Sequence, residues 1–166
     1  MPCESAGRWA TCPRCDPASP LYNLTQCYAK SEWRHGLNLW AGVDITITGL
    51  TIESSGGDGV QHGAGLEGGD IPGGLPPGTP ALLTKNVVIR NVTLADHHRQ
   101  GMSVITADGL LVEDSVMQGT NGTAPEAGLD IEPDNPTGIL VDIVFRRCQF
   151  LDNNASAAAS LPPVFF

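Results

Sequence analysis

Four segments of this chain superimpose without a gap: residues 44–52 (DITITGLTI), 86–94 (NVVIRNVTL), 109–117 (GLLVEDSVM) and 142–150 (DIVFRRCQF). Each alternates apolar and polar residues, breaks the alternation once, and resumes it, as two short strands meeting at a corner would. The inward column is Ile45, Ile47, Leu50, Ile52; Val87, Ile89, Val92, Leu94; Leu110, Val112, Ser115, Met117; and Ile143, Phe145, Cys148, Phe150. Only Ser115 interrupts it, and the register predicts Cys148 as a buried thiol. Gly49, Asn91, Asp114 and Arg147 stand at the corners. The first three are residue types that readily take the left-handed conformation a tight bend requires, and Arg147 is the least suited.

A shorter element precedes each corner unit: His35-Gly-Leu-Asn-Leu, Asp58-Gly-Val-Gln-His, Gln100-Gly-Met-Ser-Val and Ala127-Gly-Leu-Asp-Ile. Gly36 to Asp44 and Gly101 to Gly109 are both 8 residues, while Asp44 to Gly59 and Asn86 to Gly101 are both 15. The unit is therefore a 23-residue coil of three short strands, and stacking such coils gives three parallel sheets around one core. The expected fold class is all-β, a right-handed parallel β-helix of about four to five coils. A leucine-rich repeat is disfavoured because its Leu and Asn template is absent.

The coils, over residues 33–155, resemble the parallel β-helix repeats of the pectin-lyase-like superfamily. That resemblance implies an Asn-rich two-residue corner, here at 49, 91, 114 and 147. It also implies a longer turn bordering a substrate groove, here at 53–58, 95–100 and 118–127. Further implications are a polysaccharide or glycan partner and a secreted or extracellular location. Asn23, Asn91, Asn121 and Asn154 each begin an Asn-x-Ser/Thr sequon, which is compatible with secretion, but no basic stretch followed by an apolar core marks a signal peptide.

Residues 1–34 hold Cys3, Cys12, Cys15 and Cys27 without any repeat and read as an N-terminal cap or loop segment. Disulfides suit it better than zinc, since Cys12-Pro-Arg-Cys15 has no second Cys-x-x-Cys or spaced histidine pair. The solenoid domain is expected over 35–160, with a Gly- and Pro-rich loop inserted at 63–85, where Gly59 to Asn86 spans 27 residues instead of 8. A tail at 161–166 follows with no visible cap, so the sequence reads as a fragment of a longer solenoid. With 18 acidic against 9 basic residues and a formal charge of −9, nucleic acid is disfavoured as a partner and none is expected. No apolar run is long enough for a membrane span. A polyanionic glycan would also be repelled unless Ca²⁺ or a local basic cluster intervened.

The outward ladder of the first strands is Asn38, Gln61, Ser103, Asp130. Asp130, Glu132 and Asp134 fall at alternate positions, on one side of an extended strand and about 6.6 Å apart in succession. Like charges so placed repel, so stability does not select them. Such a pair suits acid and base catalysis across a glycosidic bond, near the carboxylate separation of inverting hydrolysis; alternatively, Asp130 and Asp134 are candidate Ca²⁺ ligands. An acidic solvated strand end is the bland alternative. One coil earlier, Asp96-His97-His98-Arg99-Gln100 reads as an exposed turn. There Arg99 would meet a uronate carboxylate and His97 or His98 would move a proton, as in β-elimination or C5 epimerisation. The expected roles are thus Asp130, Glu132 and His98 in catalysis, with Arg99, Gln100, Gln61, Ser103 and His97 binding substrate. His62, in an inward position, reads as a core histidine. Alginate epimerases of this fold carry an Asp-Pro-His-Asp signature that residues 128–134 resemble without its histidine. The leading expectation is a hydrolase-like polysaccharide-degrading protein. A non-catalytic glycan-binding module comes second and a uronate lyase or epimerase third.

Overall fold

The computed structural model describes residues 20, 30–63, 83–133 and 139–155. Among these there are twelve strands and no helix. The first sheet contains β1 (Leu37–Trp40), β4 (Val60–Gly63), β7 (Gln100–Val104) and β10 (Ala127–Ile131). The second contains β2 (Val43–Thr48), β5 (Lys85–Arg90), β8 (Ala107–Glu113) and β11 (Leu140–Arg146). The third contains β3 (Thr51–Glu53), β6 (Thr93–Ala95), β9 (Val116–Gln118) and β12 (Gln149–Leu151). Every neighbouring pair is parallel. The chain therefore lays one strand per coil on each sheet, the arrangement of a parallel β-solenoid.

The register follows the repeat. Ile45, Val87, Leu110 and Ile143 stack in one column, and Ile47, Ile89, Val112 and Phe145 in the next. The corners have positive φ at Gly49 (68°), Asn91 (54°), Asp114 (51°) and Arg147 (53°). Arg147 accepts a conformation costing an ordinary residue about 1–2 kcal/mol, and its guanidinium lies on Asp114, with Nη2 donating to Oδ2 at 2.8 Å. Two further left-handed columns, which the sequence reading did not anticipate, are Asp44, Asn86, Gly109, Asp142 and Ser54, Asp96, Gly119, Asp152. Each coil thus bends at three residues spaced by five positions.

Apolar burial is greatest in the two middle coils. Val87, Ile89, Val92, Leu94, Met102, Val104, Leu110, Val112 and Met117 are at most 1 % exposed, while Ile45, Ile47, Ile143, Phe145 and Phe150 of the outer coils are partly buried against them. Leu50 departs from the inward expectation and is largely exposed, because β3 has a stacked neighbour on one side only among the described strands. Cys148 is a free thiol but half-buried rather than buried, for the same reason at the opposite end. Ser115 is satisfied inside the column: its hydroxyl accepts from the Val92 amide at 3.1 Å and donates to the Glu113 carbonyl at 2.8 Å. His62 is fully buried, with Nδ1 2.7 Å from the Thr106 carbonyl. The N-terminal cysteines, most of the 63–85 loop, Asp134 and the 161–166 tail lie outside the described residues.

Candidate functional site

The X-Gly step that opens each first-sheet strand is a close approach of backbones. A Cβ on Gly36 would meet the Gly59 carbonyl at 2.8 Å, and one on Gly59 would meet the Gly101 carbonyl at 2.5 Å. Glycine is required there, and the residues before it (Asp58, Gln100) are carried to the edge of the first sheet.

From that edge the outward ladder runs as expected, with Asn38 beside Gln61, Gln61 beside Ser103, and Ser103 beside Asp130. It is not washed by solvent: Gln61, Ser103 and Asp130 are 9 %, 1 % and 4 % exposed. Their polar atoms accordingly have partners. Trp40 Nε1 donates to Gln61 Oε1 at 3.1 Å, and Gln100 Nε2 donates to Asp130 Oδ2 at 3.1 Å.

The centre of this group is Asp58, which the sequence reading passed over as the end of a turn. It is wholly buried. Its Oδ2 accepts from the Ser103 hydroxyl at 2.7 Å and lies 3.3 Å from His35 Nδ1 and 3.5 Å from Arg99 Nη1. Arg99 Nη2 is in turn 3.4 Å from Glu32. The guanidinium expected to meet a substrate carboxylate is therefore engaged by two carboxylates of the chain itself.

Asp130 and Glu132 share one side of β10, as their spacing requires. Burial pushes the Asp130 carboxyl up to about 6, helped by the charge of Glu132, a hydrogen bond with Glu132 and the charge of Asp58, while Arg99 opposes the rise. The two carboxyls are thus in contact, closer than a pair that already straddles a glycosidic bond.

The histidines part company with their expected positions. His97 is not in an exposed turn; it is fully buried, with Nδ1 2.8 Å from Ser55 Oγ and accepting from the Ser55 amide at 3.2 Å. Its Nε2 packs into the space left by Gly59. Burial holds it down to about 4 against the raising field of Asp58, so at neutral pH it is an uncharged structural group. His98 is half-buried, and its Nε2 lies 2.9 Å from Thr123 Oγ1 in the turn before β10. Burial and then Lys30 push it down, with Glu126 opposing. It makes no hydrogen bond to Asp130 or Glu132 among the described residues, so the expected catalytic partnership is not assembled.

For Ca²⁺, no group of three or more His, Cys, Asp or Glu side chains is placed to hold a metal among the described residues, and the second expected ligand, Asp134, lies outside them. No helix of the described residues is long and apolar enough to cross a membrane. Comparison with family models, curated proteins and solved structures returns no significant match.

Proposed function

We propose that this chain is a carbohydrate-active, right-handed parallel β-helix of the pectin-lyase-like kind, working outside the cell on a polysaccharide through the first-sheet face. The observation that carries the reading is the inequality of two adjacent carboxyls: Asp130 is buried and pushed up to about 6, while Glu132 beside it is exposed. Environments that separate two such groups create an acid and a base from one residue type. Asp130 serves as the proton donor to the leaving oxygen and Glu132 as the base for water. Hydrolysis on this reading requires the two carboxyls to separate when a sugar enters, since in contact they leave no room for the sugar and water between them.

A glycan-binding module without turnover is the second reading, favoured by that same contact and by the deep burial of Asp130. Assaying reducing-sugar release, and the ultraviolet absorbance of an unsaturated product, across a glycan panel separates the readings, with Asp130→Asn as control. Hydrolysis predicts reducing ends without absorbance, lost in the variant. Binding alone predicts neither signal but retention on a glycan column.

A further inference from the structure

The hydrogen bonds around Asp58 and Gln100 stop short of completion in one consistent way. Asp58 Oδ2 takes the Ser103 hydroxyl, but Asp58 Oδ1 is buried without a partner. Gln100 Nε2 is spent on Asp130, but Gln100 Oε1 is likewise buried and unpartnered. The two belong to one group, since Ser103, which binds Asp58, is the rung beside Asp130, which binds Gln100. An open buried acceptor is costly, and a ligand that brings donors relieves it. On the far side of Asp58, His35 Nε2 is also unpartnered. Its Nδ1 lies 3.4 Å from the Asp58 amide nitrogen and 3.3 Å from Asp58 Oδ2, so the open Nε2 donates in one tautomer and accepts in the other. Two open acceptors and an open imidazole nitrogen at one buried edge match the hydroxyls of an uncharged sugar ring, each of which both donates and accepts.

The charges point the same way. Asp58, Asp130 and Glu132 all act on this edge. Arg99 lies within ion-pair distance of Asp58, and Glu32 shares it. Lys85, Arg90, Arg146 and Arg147 are all paired on the second sheet and its corner. A uronate arriving here would add acceptors where donors are wanted, and negative charge where it is already in excess.

We propose that Asp58, Gln100 and His35 form a subsite for an uncharged, hydroxyl-rich sugar and that the same edge rejects uronates. This rests on the glycan reading above. It names Asp58 and Gln100 as the residues that receive sugar hydroxyls, and it turns the expected role of Arg99 around: Arg99 holds Asp58 in place instead of meeting the substrate.

The test is calorimetric titration of the full chain with matched neutral and uronic oligosaccharides, oligogalactosides against oligogalacturonides and oligoglucosides against oligoglucuronides, at low salt. The expected result is binding of a neutral series with its uronic counterpart weaker by roughly tenfold or more. Glu32→Gln, at an exposed position that releases one partner of Arg99, should recover several-fold of uronide affinity and leave the neutral sugar unchanged. Uronides binding as tightly as neutral sugars, or tighter, would overturn the subsite while leaving a glycan protein standing. Binding of neither class would overturn the glycan reading and the subsite with it.

Discussion

The first and second sheets each carry a ladder of polar side chains on the outward face, and the charged groups in and around the two ladders are placed on opposite terms. On the second, the acids of the middle coils are matched by bases: Lys85 Nζ is 2.8 Å from Asp108, and Glu113 lies between Arg90 and Arg146, with Arg147 reaching both Glu113 and Asp114. Hydrogen bonds from Arg146 and Arg90 hold the Glu113 carboxyl down to about 2. At the edge of the first sheet, Asp58 and Glu32 share one guanidinium, and Asp130 is pushed in the opposite direction. A ladder whose charges are matched serves the fold; one left unmatched in a buried place is a candidate for function.

The comparison is sharpest if the core beneath both ladders is equivalent. Ile89, under the second sheet, and Met102, under the first, are both essentially unexposed. Truncating either to alanine should cost about 2–5 kcal/mol in denaturant unfolding. A much smaller loss at Met102 would mean that the first sheet is weakly packed, and its unusual charges would then need no functional explanation.

At the end of β2, Gly49 has φ 68° with nothing within 4 Å of where a Cβ would stand. Gly49→Val should therefore destabilise through backbone strain alone, by about 1–2 kcal/mol, whereas Thr46→Val on the exposed face of β2 should stay within about 0.5 kcal/mol. Equal melting temperatures would show that the charge ladder, not the corner, fixes the second sheet.

The ladders themselves should respond with opposite signs. Asp130→Asn is expected to raise stability at pH 7 by about 1–2 kcal/mol, and Glu113→Gln to lower it. The sign for Asp130 follows from its raised carboxyl: the protonated form is favoured in the fold, so its contribution is full below the ordinary value of 3.8 and is lost as pH rises through about 6. The advantage of Asp130→Asn over wild type should then vanish by about pH 4. His97 works against Asp130 over the same range, its stabilisation being present above 6.5 and lost as pH falls toward about 4. Thermal unfolding of both variants across this range checks the assignment, and an unchanged gap between Asp130→Asn and wild type would break it.

Much of the solenoid was legible because a coil repeats its backbone needs along with its apolar pattern. The corner at Arg147 shows the strength of that signal, since position in the repeat overrode an unfavourable residue type, helped by its contact with Asp114. The site was harder to read. Asp130, Glu132 and the ladder through Ser103 followed from strand alternation, but Asp58 sits just before a strand, where alternation says nothing about direction. Its signal was the stacked glycine beside it, which brings neighbouring coils close enough for Asp58 to reach Ser103. His97 was misread for a related reason: two adjacent histidines look like a polar turn, while the space that admits one of them is made by Gly59 in the previous coil.

The central claim is that the first-sheet face holds an acid kept out of its usual state while the second-sheet face holds one locked into it. Site-resolved carbon NMR titration of the Asp and Glu carboxyls in the native chain tests this directly. Asp130 should titrate near 6 and Glu113 near 2; an Asp130 carboxyl that titrates at its ordinary value of 3.8 would contradict the account.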